Sequence, residues 1–179
     1  MIKRPKQQEE QLLSLTDSDI VKKADSKTIS AMILDLCEYW EENLKNIYMK
    51  GVDSAPDWKE YEHKIWTMGE QLRLLLKKRK DWRGKCEVLD AVATVLLNKR
   101  YGKGRQTFAL LLGDFGGKEY KKSLSKTIND PEVCGHTIKS LSKAKITGYE
   151  KDVERVFTNK KGWIKSAAKK YLSMCANRK

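Results

Sequence analysis

Gly102-Lys103-Gly104-Arg105 has the composition of an anion cradle. Backbone amides at the start of a helix, with two cations beside them, can hold a phosphate by hydrogen bonds and charge together. The same residues also suit a tight interhelical turn with solvated charges. Gly113 through Lys118 looks like a phosphate loop, but its glycine spacing is one residue short. Glu119 stands where that motif needs Ser or Thr, and no strand precedes it. Asp114-Phe115-Gly116 matches a kinase triplet with nothing else of that signature in the chain. His63 and His136 lack ligand-spaced partners, and Cys134 and His136 are not one helical turn apart, so no metal site is expected. No Ser/His/Asp arrangement is identifiable either. The chain reads as non-catalytic, with no catalytic residue and no cofactor.

The stronger chemical signal is cationic. Residues 101–179 carry 18 Lys and Arg against 7 Asp and Glu, whereas residues 1–100 carry 19 against 17. Most of the net charge of +13 therefore lies in the C-terminal half, which points to an anionic partner. Lys139 and Lys143 fall one helical turn apart, away from the stripe Val133-Thr137-Leu141. Lys165 and Lys169 repeat this opposite Ile164-Ala168-Leu172, with Lys170 adjoining. Trp163 stands among these cations, where an exposed indole can stack on a base. With the glycine loop, the candidate surface is Lys103, Arg105, Lys139, Lys143, Trp163, Lys165, Lys169 and Lys170. Its expected partner is an anionic macromolecule: DNA, RNA or an acidic protein. The plainer alternative is that lysine-rich helix faces simply keep the chain soluble.

Amphipathic helices must position these residues. Ile29, Met32, Ile33, Leu36, Trp40, Leu44 and Ile47 recur at helical spacing, with Asp25 and Ser26 fit to cap the start and Gly51 to end it. Trp58, Tyr61, Ile65, Met68, Leu72, Leu75 and Arg79 predict a second long helix after Pro56. A third carries Val88, Leu89, Val92, Val95 and Leu96, and a fourth Phe108, Leu111, Leu112 and Phe115. No segment alternates with period two, so the expected class is all-α.

From residue 118 the pattern shortens and repeats. Tyr120, Leu124 and Ile128 lie 29 residues before Tyr149, Val153 and Phe157. Val133, Thr137 and Leu141 lie 31 before Ile164, Ala168 and Leu172, the difference falling in the turn. A weaker copy precedes them, in which Gly104 occupies a position that should be aliphatic. Each hairpin has an apolar stripe on both helices and can bury both only by stacking on a neighbour.

Asp130-Pro131-Glu132-Val133 opening a second helix, and Trp163-Ile164-Lys165 with Ala167-Ala168 and Leu172, resemble the inner helix of HEAT repeats. The resemblance covers about residues 119–176, more weakly from 86, and departs at Cys134, where a basic residue is usual. It implies an α-α superhelix, a short solenoid of HEAT-like hairpins preceded by two longer helices. HEAT repeats carry no fixed activity and mostly present surfaces to proteins or nucleic acids. Some DNA-repair glycosylases for alkylated bases are built of such repeats, which gives an enzymatic alternative with no catalytic residue to carry over. A protein–protein adaptor or inhibitor is the other.

The expected organisation is a disordered polar leader over 1–16 and one helical domain over 17–179. Within that domain a helix pair spans 27–80 and the repeats span 86–176. No apolar run approaches the roughly 20 residues that cross a bilayer. The four scattered cysteines read as buried thiols, so the expected location is cytoplasmic.

Overall fold

Asp25 starts the first helix by accepting the Thr28 amide on its carboxylate at 2.9 Å. Helix α1 then runs Ser26–Leu44. In this computed structural model residue 7 and residues 25–49, 58–84 and 86–177 are described. Apart from Gln7, the polar leader lies outside them, as do Gly51 and the turn at Pro56. The predicted first helix overruns: the chain turns at Lys45, and Ile47 is exposed rather than on the apolar face. Backbone pairing explains this. Met49 donates to the Trp58 carbonyl at 3.0 Å and Glu60 to that of Ile47 at 2.8 Å, which closes the loop with an isolated bridge.

The remaining regular structure among the described residues is helical. Helix α2 spans Glu60–Lys78 and α3 spans Glu87–Leu97; a 3-10 segment, Lys99–Arg105, leads into α4, Gln106–Leu111. That helix widens into a π turn over Leu112–Gly116, so the predicted fourth helix is present in two geometries. Then follow α5 (Lys121–Ser125), α6 (Cys134–Lys143), α7 (Glu150–Asn159) and α8 (Gly162–Ala176). Helix α1 packs on α2 and α3. The second helices pack in chain order, α2 on α4, α4 on α6 and α6 on α8, with α7 against α8. One apolar core runs from Ile33 and Leu36 through Ile65, Leu72, Val92 and Phe108 to Leu124, Ile138, Leu141, Ala168 and Tyr171.

Both repeated trios point inward. Tyr120, Leu124 and Ile128 are buried, as is Val153, while Tyr149 and Phe157 are partly covered. The hairpins differ in length, however. Helix α5 has only five residues, and turns occupy the chain from Lys126 to Val133. The cause is polar. Thr127 Oγ1 lies 3.0 Å from the Leu124 carbonyl and 2.8 Å from Thr137 Oγ1. Asp130 is drawn inward to Arg105, with Nη1–Oδ2 at 2.8 Å and Nη2–Oδ1 at 3.3 Å. Asp130 does not cap α6, which starts at Cys134 after Val133. It braces the turn before that helix: its Oδ1 accepts the Glu132 amide at 3.1 Å and its carbonyl that of Cys134 at 2.8 Å.

Arg105 is only 1% exposed, and its remaining donors reach the Gly102 and Leu96 carbonyls at 2.9 and 3.2 Å. It ties the loop after α3, the start of α4 and the α5–α6 turn together. Burial works to raise the Asp130 pKa, but the hydrogen bonds and charge of Arg105 outweigh it and hold the carboxyl below its ordinary value. This stabilisation is present at neutral pH and is lost as acid protonates Asp130. Removing one member of a buried pair costs about 3–5 kcal/mol, because the other charge is left without a partner. Asp130→Ala should therefore lower unfolding free energy by about that much. The double variant Asp130→Ala/Arg105→Met should cost less than the two single changes added together. Urea denaturation of the four proteins measures the coupling, and simple additivity would show that the pair does not act as a unit.

Candidate functional site

The glycine-rich loop already holds an anion, and it is the chain's own. Glu62 Oε1 accepts the Lys103 amide at 2.8 Å, while its Oε2 accepts the Lys59 amide at 2.9 Å at the start of α2. Gly102 has φ +48°, and a Cβ there would lie 1.9 Å from Glu62 Oε1, so glycine is required by conformation and by space. The loop is thus an internal carboxylate seat. Arg105, expected on the surface, is withdrawn into the buried pair with Asp130 because the hairpin turn needs that charge. Lys103 is partly buried beside Glu62.

The basic residues of the last two hairpins divide into two groups. A groove of about 210 Å³ between α6 and α8 is lined by Lys139, Ser142 and Lys143 on one side and by Ala167 and Lys170 on the other. Lys165 lies elsewhere, its ammonium 4.9 Å from the Phe157 ring on α7. Successive helical residues are about 100° apart, so Lys165 and Lys169 point away from the wall that Ala167 and Lys170 form. The expected four-lysine row is therefore not one face. Lys139 and Lys143 share their face with Lys170.

Trp163 lies on α8 one helical turn before Ala167, next to the groove rather than among its lining residues. It is 52% exposed, and one edge of its ring is pinned against α6. A Cβ on Gly135 would lie 2.4 Å from the indole Cη2 and 2.9 Å from Ile164 Cγ1, so the absent side chain is the seat. His136 meets the indole edge-on, with centroids 4.9 Å apart and planes at 66°. Gly135 adjoins Trp163 near the start of both helices, and Ser142 and Lys170 line one groove farther along each, so α6 and α8 run parallel. From Trp163 to Lys170 α8 rises about 10 Å along its axis.

Lys143 reaches Asp114 Oδ1 at 2.6 Å, and Arg73 reaches Asp114 Oδ2 at 3.3 Å. Asp114 belongs to the π turn, which thus sets a carboxylate between two cations, one of them the groove residue Lys143. Among the described residues Lys139 and Lys170 form no ion pair. Of the other tryptophans, Trp40 and Trp82 are core. Trp82 carries Arg79 over its ring at 3.9 Å, so cations next to it in sequence did not mean exposure. Trp58 and Trp66 meet edge-on at 6.5 Å.

Sequence reading passed over Gly135, His136, Asp114 and Arg73 as site residues. A glycine inside a helix costs about 1 kcal/mol against alanine, so Gly135 was a legible mark of close approach. Nothing in the local pattern marked Asp114. Comparison with protein-family models, with curated proteins and with solved structures gives no match.

Burial, helped by the charge of Lys139, pushes the His136 imidazole down to about 4 from its ordinary 6.5. The ring beside Trp163 is therefore neutral at pH 7. Its folded-state pKa lies below its unfolded value, so the unfolded chain takes up the proton first as pH falls. Stability from this group is complete above pH 6.5 and declines towards pH 4, by at most about 3 kcal/mol. His136→Asn should remove that component. Urea midpoints of wild type and variant, measured near pH 7 and pH 4.5, should converge or cross at the lower pH. Parallel behaviour would show that the imidazole titrates as if exposed.

Proposed function

We propose that this chain is a non-catalytic helical-repeat module that binds nucleic acid with unpaired bases in the groove between α6 and α8. The observation that carries the reading is Trp163, an indole half exposed to solvent yet fixed by Gly135 and His136 next to a lysine-lined groove. A fixed aromatic face beside cations suits a base that stacks while its phosphates follow the positive charge. Lys139 and Lys170 supply that charge, beside Lys143 in its pair with Asp114.

The repeat architecture belongs to the same proposal. Second helices packed in chain order and repeated buried positions both support a short α-α superhelix of stacked hairpins. Among the described residues no helix is long and apolar enough to cross a membrane. The four free thiols suit a reducing compartment and support a cytoplasmic location. One detail favours binding over glycosylase chemistry. The carboxylate that reaches a groove residue, Asp114, is already bound by Lys143 and Arg73.

Fluorescence anisotropy with labelled single strands and duplexes tests the reading. Single strands should bind at micromolar or tighter concentration, weakening steeply between about 50 and 200 mM salt. Trp163→Ala should weaken single-strand binding by about 1–3 kcal/mol and affect duplex binding little. Lys139→Glu/Lys143→Glu/Lys170→Glu should abolish most of the affinity, and Lys165→Glu/Lys169→Glu should reduce it less. No binding at low salt would overturn the proposal. Equal binding of a polyglutamate peptide would replace it with the acidic-protein alternative.

A further inference from the structure

The truncation of α5 leaves openings beside the α5–α6 turn. One, of about 380 Å³, lies between that turn and the end of α3, with Lys99 and Lys126 on its walls and the Arg105–Asp130 pair in its floor. The other, of about 230 Å³, lies between the same turn and the end of α7, with Arg155 and Lys160 on its wall. Asn129 and Pro131 line both and form the ridge between them. The two clefts are lined by five cationic residues and two acidic ones, Asp130 and Glu132, and Asp130 is already neutralised by Arg105. Arg155 has Asp152 at 3.4 Å, on the surface. Lys99, Lys126 and Lys160 make no ion pair among the described residues.

Each of these lysines belongs to the turn of a different hairpin, and each turn also carries an asparagine: Asn98, Asn129 and Asn159. Stacked hairpins place their turns along one edge. Trp163 stands at that edge too, since Lys160 lies three residues before it and Cys134, at the base of the second cleft, adjoins its seat at Gly135.

We infer that this turn edge is a phosphate-binding track that continues the groove, so that a single strand stacked at Trp163 runs on across the clefts past Lys160, Lys126 and Lys99. The inference rests on the nucleic-acid reading of the groove. It adds a ligand of defined length and path: the groove holds only a few nucleotides, and the track holds those that follow. The Asn129–Pro131 ridge divides the two clefts into separate seats for successive phosphates, and Asn129 supplies an amide donor there.

The test uses the full chain with labelled oligothymidylates of about 6 and about 16 nucleotides. The longer strand should bind at least about tenfold tighter, with a steeper salt dependence. Lys99→Glu/Lys126→Glu/Lys160→Glu should remove that gain and lower the salt slope for the long strand by about 2, leaving the short strand unchanged. The corresponding triple alanine variant should lose part of the gain, and circular dichroism should confirm that both variants keep their helices. Long-strand binding by the glutamate variant with wild-type affinity and slope would overturn the track. So would a wild-type chain that binds both lengths equally, and the groove reading would then stand alone. If wild type binds neither strand, the groove reading and the track fall together.

Discussion

A guanidinium with almost no solvent contact must be met by protein on every side, and Arg105 places that demand on the middle of this chain. Its partners come from α3, from its own loop and from the α5–α6 turn. Asp130 can reach it only if the chain leaves helical geometry well before α6. That requirement shortens α5 and opens the flanking clefts. Desolvating a pair of charges is expensive even when they are well matched. The pair is better understood as fixing how one hairpin docks on the next than as a large source of net stability. Two carboxylates act in this way on the same loop. Glu62 holds it from α2 and Asp130 from the α5–α6 turn, so the loop joins the N-terminal helix pair to the hairpins that follow.

The acids of the C-terminal half are few, and several are already bound. Asp130 serves Arg105, Asp114 serves Lys143 and Arg73, and Asp152 serves Arg155. What remains among the described residues of this half is an excess of lysines over carboxylates, and their summed field is positive. This distribution separates the cations into two kinds. Arg105 and Arg73 are structural, committed to carboxylates within the fold. Lys139 and Lys170, with the turn lysines, are long flexible arms that hold a point charge in water, able to follow a phosphate backbone without fixed geometry.

The helices were legible because burial and period coincide. The stripes through Leu36, Leu72, Val92 and Leu141 are apolar at helical spacing, and the structure buries every one of these residues. The matched positions share burial for the same reason, since Val153 and Ala168 are buried like Leu124 and Thr137 before them. Charge was less readable. A lysine or arginine has the same letter whether it faces water or a carboxylate far along the chain. Arg105 and Asp130 are 25 residues apart, and neither local period nor spacing connects them. The lysine faces were misread for a related reason. Spacing of three or four places residues on one side of one helix, but only the neighbouring helix decides which side forms a groove. Lys170 therefore joins Lys139, and Lys165 turns to Phe157 instead.

Helix α6 is the element in which these constraints meet. On one side Ser140 presses so closely on Gly113 of the π turn that a Cβ there would lie 2.5 Å from its own. On another side Gly135 accepts the edge of Trp163. Its start is held by Asp130 and its end by the bond from Lys143 to Asp114. A helix fixed at both ends and on two sides cannot shift without disturbing the core. The indole and the groove walls are therefore held in place by the fold itself, and on the nucleic-acid proposal the ordering entropy of binding would fall mainly on the lysine arms and the ligand. A neutral His136 fits the same proposal: it packs on the indole as an uncharged ring, and the positive charge nearby stays on lysines.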